Sequence, residues 1–271
     1  MAFAYSKSLE IAAEPPHVTH VELVPPPTPV DPAYPTVTAV VPTRNEARNL
    51  PYVLPDLDRF VDEIVLVDGN STDGTVEVAR ELVPEITIVG QPNTGKGDAL
   101  RAGFAAATGD IIVMLDADGS TNPTEIPIFV GALLAGADFA KGTRFVHGAG
   151  SDDMSTFRRL GNGGLVALTR ALHGGRYSDL CYGYNAFWRH CLDDLRLTGD
   201  GFEIETIMNI RALRAGLDVR EVPSFEKSRL HGQSNLRAVA DGLRVLSAIF
   251  AELRFPRAER SGVRDALPVA R

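Results

Sequence analysis

The run Asp110-Ile111-Ile112-Val113-Met114-Leu115-Asp116-Ala117-Asp118-Gly119-Ser120 passes from hydrocarbon to acid in a single step. Its apolar residues read as a fully buried strand, too short for a helix. Two carboxylates one residue apart then fall at the carboxyl edge of the sheet, where open α/β sheets bind ligands. Such a pair repels itself unless a cation lies between, which makes a divalent metal its natural partner. The plain alternative is two solvated turn residues, since Asp and Gly are common after strands.

Upstream, the texture repeats. Val37–Val41 reads as a strand stopped by Pro42, and residues 43–50 offer capping residues and a helix start weakened by Pro51 and Pro55. Ile64–Val67 is a second strand, leading into Asp68–Thr75 and a helix over Thr75–Leu82. Ile86–Val89 is a third, followed by a glycine-bearing loop over 90–97 and a helix over Asp98–Ala107. Strands alternating with helices, without hairpin signals, predict βαβ units and an α/β domain with a mostly parallel central sheet flanked by helices. Downstream the pattern predicts helices near 123–135, 157–172 and 202–215, and strands over 138–141, 181–188 and 218–222. This more mixed half completes the pocket of one domain over residues 36–235.

The ends differ. Eight prolines from Pro15 to Pro35 favour extended segments, so residues 1–35 are expected to be a disordered arm. Leu236, Val239, Leu243, Leu246, Phe250 and Leu253 form an apolar stripe on a helix over 236–254, with Arg237, Asp241, Arg244 and Glu252 pointing away. The stripe is expected to dock on the core, with dimerisation or a membrane surface as alternatives. Residues 255–271 are expected to fray.

The 271 residues carry a formal net charge of −8, which argues against nucleic acid as a partner. Cys181 and Cys191 form neither metal spacing nor a disulfide framework, which fits a reducing cytoplasm. No apolar run approaches a membrane span, and no signal pattern opens the chain.

Three polar strand ends, Pro42–Glu46, Asp68–Thr75 and Asp116–Ser120, come to one sheet edge. Two familiar chemistries fail there. Gly90–Gly97 nearly matches a P-loop, but Gly97 replaces the magnesium-ligating hydroxyl and Pro92 removes one N–H. An aspartyl-phosphate phosphatase would use the Asp116/Asp118 spacing, but normally near the start of its core. The reading that uses all three clusters places a nucleotide base on Asp68. Mg2+ or Mn2+ on Asp116 and Asp118 neutralises a departing diphosphate.

Val41–Glu46, Val67–Thr75, Gly95–Leu100 and Leu115–Asp118 resemble the successive motifs of family 2 glycosyltransferases with the GT-A fold. Gly142–Arg144, Gly201–Glu205, Glu221–Pro223 and Arg229–Asn235 resemble the branch of dolichol- and polyprenol-phosphate sugar synthases. The resemblance implies a metal-dependent, inverting transfer from a GDP- or UDP-sugar, with a polyprenyl phosphate as first acceptor. It places Pro42, Arg44, Glu46, Asp68 and Lys96 on the nucleotide, Asp116 and Asp118 on the metal, and Ser120 where relatives supply a further ligand. Arg144, Arg158 and Arg229 would hold the acceptor phosphate, which guanidinium suits. Glu205 is the base or acceptor-orienting group, because Glu203 points about 200° away on the same helix; His231 is a second candidate. A lipid acceptor implies peripheral contact with a membrane. A soluble hydroxyl acceptor and a non-catalytic nucleotide-sugar-binding protein are the competing readings.

Overall fold

The computed structural model describes residues 34–254 except 235. The expectations for the proline-rich arm up to residue 33 and for the tail over 255–271 lie outside the described residues.

Seven strands form one sheet: β1 (Val37–Thr43), β2 (Glu63–Asp68), β3 (Thr87–Gly90), β4 (Ile111–Met114), β5 (Phe139–Thr143), β7 (Asn185–Trp188) and β8 (Val219–Pro223), in the order β3-β2-β1-β4-β7-β5-β8. A short pair, β6 (Gly150–Ser151) with β9 (Phe225–Glu226), lies apart. β1, β2, β3 and β4 pair in parallel, as do β5 and β8. β7 runs antiparallel to both β4 and β5. The predicted strand over 181–188 therefore shortens to its second half and reverses direction. Residues 181–184 leave the ladder as irregular chain, exposed at Cys181 and buried from 182 to 184, with Tyr184 O accepting from Gly142 N–H at 2.9 Å.

β1 shows why the apolar runs had to be strands. Val37, Ala39 and Val41 face one buried cluster, with Leu66, Val113 and Phe129. Val40 faces another, with Val67, Leu100, Phe104, Met114 and Met208. Alternate residues fill opposite cores, so a strand covered on both faces reads as a continuous apolar run. The first face is covered by α1 (Leu54–Leu57), α2 (Thr75–Leu82) and α4 (Ile126–Leu134), the second by α3 (Lys96–Ala106), α6 (Cys191–Leu195) and α7 (Ile204–Arg214). The helix start expected over 43–50 is instead a turn, in which Asn45 adopts a left-handed backbone (φ 58°). Helical geometry begins only at Leu50, where a proline at the first turn is tolerated.

α5 (Thr156–His173) and α8 (Ala238–Ala251) pack with α7 around Val166, Tyr177, Leu180, Ile210, Val245 and Ile249. α8 corrects the expected orientation. Val239 and Leu243 are 65% and 61% exposed, whereas Asp241, Val245, Ala248, Ile249 and Glu252 are buried. The helix docks on a neighbouring face because its buried acids have partners. Asp241 accepts from Arg237 N–H at 2.7 Å, and Glu252 pairs with Arg211 at 2.8 Å. Among the described residues no helix is long and apolar enough to cross a membrane.

Candidate active site

The turns after β1 and β2 are stitched together by residues that the motifs single out. Asn45 Oδ1 accepts from Thr72 N–H at 2.8 Å, Glu46 N–H donates to Thr75 Oγ1 at 2.9 Å, and Ala47 N–H donates to Asp73 at 3.1 Å. Asp68 accepts from Ser71 N–H at 3.2 Å, and its neighbours Gly69 and Asn70 line the cleft. The glycine loop before α3 is occupied differently from a phosphate cradle. Gly97 and Asp98 donate their N–H groups to Asp200 O at 2.8 and 3.3 Å, and a Cβ on Gly95 would collide with that carbonyl. Helix N-terminal donors already engaged in this way cannot cradle phosphate.

Lys96 opens α3, and its ammonium lies 2.7 Å from Asp116 Oδ1 and 2.9 Å from Glu205 Oε1. Burial pushes this ammonium towards neutrality, but the two carboxylates more than reverse it and the group stays charged. Glu205 is raised above the usual carboxylate range. Burial outweighs its share of a single ammonium, and Asp116 draws on the same charge. Gly183 closes the cluster: a Cβ there would stand 2.8 Å from Lys96 Nζ and 3.1 Å from Glu205 Oε1. Glu203 turns the other way, accepting from Asp200 and Gly201 N–H groups at 3.0 and 2.9 Å.

Asp118 pairs with Arg229 Nη1 at 3.1 Å, while Arg229 Nη2 reaches Glu46 at 2.5 Å. Burial raises the Glu46 carboxyl, against the pull of Arg229 and Asn49. Ser120 meets Asp118 through its backbone, its N–H donating to Oδ1 at 2.9 Å. Four carboxylates (Glu46, Asp116, Asp118, Glu205) thus meet two cations, Lys96 and Arg229. Two formal negative charges are left over on oxygen donors. Among the described residues no three carboxylates converge on one ion, but the Asp116–Asp118 pair suits a hard divalent ion such as Mg2+ or Mn2+, to which it would supply two oxygen ligands.

Two cavities meet here. A polar trough of about 490 Å3 is lined by Pro42, Arg44, Lys96, Asp116, Asp118 and Arg229, among others. An apolar groove of about 350 Å3 between α5 and α8 is lined by Met154, Phe157, Leu165, Val239, Leu243 and Leu246, with the buried Glu205 also on its wall. Phe202 and Asp241 line both.

The three arginines expected at one acceptor phosphate are not equivalent. Arg158 lines the groove and is held through one nitrogen by Asp153 at 2.8 Å. Arg144 also borders the groove, but it is buried, bound to both oxygens of Asp179 at 2.7 and 3.0 Å and to Glu226 at 3.0 Å. Arg229 belongs to the trough. His231 packs against Tyr52 with ring centres 5.8 Å apart and planes tilted by 54°, and its carbonyl accepts from Asn49 and Arg229. Sequence reasoning missed Gly183 beside Lys96 and Glu205, and, in the trough wall, Phe202, Arg237 at the cap of α8, and Asp241 and Arg244 within it. A capping acid at Asp241 was the available signal, but the apolar stripe outweighed it.

A sheet covered on both faces, with a carboxylate pair at the end of its central β4 beneath a polar trough, is the architecture of a GT-A glycosyltransferase. The chain belongs to glycosyl transferase family 2, whose model matches residues 38–195. It is 33% identical over 223 residues to the glycosyltransferase AglJ of Haloferax volcanii, covering 80% of this chain and 70% of that one. To the polyprenol monophosphomannose synthase of Mycolicibacterium smegmatis it is 31% identical over 210 residues, covering 73% and 79%. Among solved structures it resembles glucosyl-3-phosphoglycerate synthase of Mycobacterium tuberculosis, determined with Mn2+, UDP and glucosyl-3-phosphoglycerate. That likeness has a TM-score of 0.66 at 25% identity and covers 82% and 81% of the two chains. The protein is therefore a family 2 glycosyltransferase with relatives in the polyprenyl-phosphate branch, and the expectation of an enzyme rather than a passive binder is the one the family supports.

Proposed function

We propose that this enzyme transfers a sugar from a GDP- or UDP-linked donor to the phosphate of a polyprenyl phosphate, with inversion. The observation that carries the reading is the junction of two unlike cavities at the Lys96–Glu205 contact, 2.9 Å long. The polar trough suits a nucleoside diphosphate, and the apolar groove suits a hydrocarbon chain whose charged head lies at its inner end. The polyprenol relative supports the same acceptor.

In this reading Pro42, Arg44 and Glu46 border the nucleotide, and Asp68 reads its base from the end of β2. Asp116 and Asp118 would hold Mg2+ or Mn2+, which would supply Lewis-acid stabilisation of the departing diphosphate. Lys96 keeps Asp116 and Glu205 in register. Arg158 receives the acceptor phosphate, Arg144 backs the groove wall through its pairs with Asp179 and Glu226, and Arg229 approaches from the donor side. One phosphate oxygen attacks the anomeric carbon. The new C–O bond forms as the bond to the diphosphate breaks, and the nucleoside diphosphate leaves with the electron pair. A phosphate acceptor is already ionised near neutral pH, so Glu205 orients it rather than removing a proton. The exposed face of α8 rests on the membrane surface that carries the lipid.

A hydroxyl acceptor is favoured by one observation: a buried Glu205 raised above the usual range is suited to act as a base. A screen of GDP- and UDP-sugars for nucleoside diphosphate release, with a short-chain polyprenyl phosphate or the corresponding alcohol, separates the two. Release stimulated by the phosphate alone is expected; stimulation by the alcohol alone supports the hydroxyl reading.

A further inference from the structure

We infer that Arg229 is an internal counter-ion that a divalent metal must displace from Asp118. The inference rests on the metal-pair reading of Asp116 and Asp118. Asp118 has two oxygens. Oδ1 already accepts from Ser120 N–H at 2.9 Å, which makes Oδ2 the more open oxygen for a metal, and Arg229 Nη1 stands 3.1 Å from it. The other nitrogens of Arg229 are engaged as well: Nη2 with Glu46 at 2.5 Å and Nε with His231 O at 2.7 Å.

Both ends of this bridge are anchored in folded structure. Glu46 is held by Asn49 Nδ2 at 2.5 Å and through its own N–H by Thr75 at 2.9 Å. The segment carrying Arg229 is tied to the acidic loop by Lys227 N–H to Ser120 O at 2.8 Å and Leu230 N–H to Asp118 O at 3.1 Å. The bridge is preassembled, and it lies on the more open oxygen of Asp118. A guanidinium and a divalent cation repel strongly at that range, so they exchange rather than share. Metal affinity is then reduced by the fraction of molecules in which the bridge is open; a bridge closed nine-tenths of the time weakens binding about tenfold. Metal entry also frees Arg229 as a cation in the polar trough.

Titration of the full-length protein with Mn2+ alone, free Mn2+ being followed by electron paramagnetic resonance, tests this without reference to turnover. Arg229→Met, shown to be folded by its thermal transition, is expected to bind Mn2+ about tenfold more tightly than the wild type. Arg229→Lys keeps the charge but has one nitrogen where Arg229 uses three, on Asp118, Glu46 and His231 O, so it holds the bridge less firmly and is expected to lie between the two. A folded Arg229→Met with wild-type affinity overturns the inference. So does an Arg229→Lys indistinguishable from wild type beside a tighter Arg229→Met, which would reveal a general field effect. If Arg229→Met does not fold, Arg229→Lys decides by the same comparison. Asp118→Asn separates the underlying reading: its loss of Mn2+ binding leaves the metal pair standing whatever Arg229 does, and undiminished binding removes the metal pair itself.

Discussion

Asp179 is a carboxylate with no exposed surface, tolerable only because Arg144 meets both its oxygens while lying 4.8 Å over the Tyr182 ring. Burial would raise this carboxyl, but the guanidinium and Lys141 reverse it and hold it below the ordinary range. A group depressed in the fold stabilises fully above its unfolded value, near pH 4 for aspartate, and loses that contribution as pH falls through the lower folded value. Asp179→Asn is therefore expected to cost about 3 kcal/mol at neutral pH and to flatten the acid side of the pH–stability curve, both read from denaturation midpoints. Unchanged midpoints across pH would show that the pair contributes nothing. Gly183→Ala probes the other charged cluster. The added methyl pushes Lys96 and Glu205 apart, so kcat is expected to fall on the order of a hundredfold, with the denaturation midpoint read alongside. An undiminished kcat would mean that the contact has no bearing on turnover. At this scale the sequence is only partly informative. Arg144 reads as a cation free for phosphate, because its partners Asp179 and Glu226 lie 35 and 82 residues away and no local pattern announces them.

The strands were the most legible elements. β1, β2, β3 and β4 fall within two residues of their predicted limits, since a strand buried on both faces leaves an unbroken apolar run. The direction of β7 was not legible, because an antiparallel insertion is set by the return path of the chain and not by its own residues. α8 misled for a physical reason. Periodicity weighs apolar side chains and cannot see that Asp241 and Glu252 find partners when buried. Its two faces should respond differently to change. Ile249→Ala empties a packed site and is expected to cost about 2–5 kcal/mol, whereas Leu243→Glu on the exposed face should alter stability by no more than about 0.5 kcal/mol. The same Leu243→Glu is expected to weaken sedimentation with lipid vesicles and to raise the KM for polyprenyl phosphate. Vesicle binding and KM equal to wild type would remove α8 from the account of acceptor delivery.

Across the whole molecule, the polar trough was legible in the sequence and the apolar groove was not. Pro42, Asp68 and Asp116 end adjacent parallel strands, so topology alone gathers them at one edge. The groove depends on how α5 and α8 dock on α7, which is decided by tertiary packing. The result is a protein of net charge −8 whose central four carboxylates are only half neutralised by Lys96 and Arg229, with a polar trough on one side of that cluster and an apolar groove on the other. The central claim is metal-dependent transfer across this junction. Its most direct test is the rate of lipid-linked sugar formation from the best nucleotide-sugar and a short-chain polyprenyl phosphate, for wild type with Mn2+, wild type with chelator, and Asp118→Asn. The account predicts product in the first case and none in the other two. Equal product in all three, or nucleoside diphosphate released without any lipid-linked sugar, would contradict it.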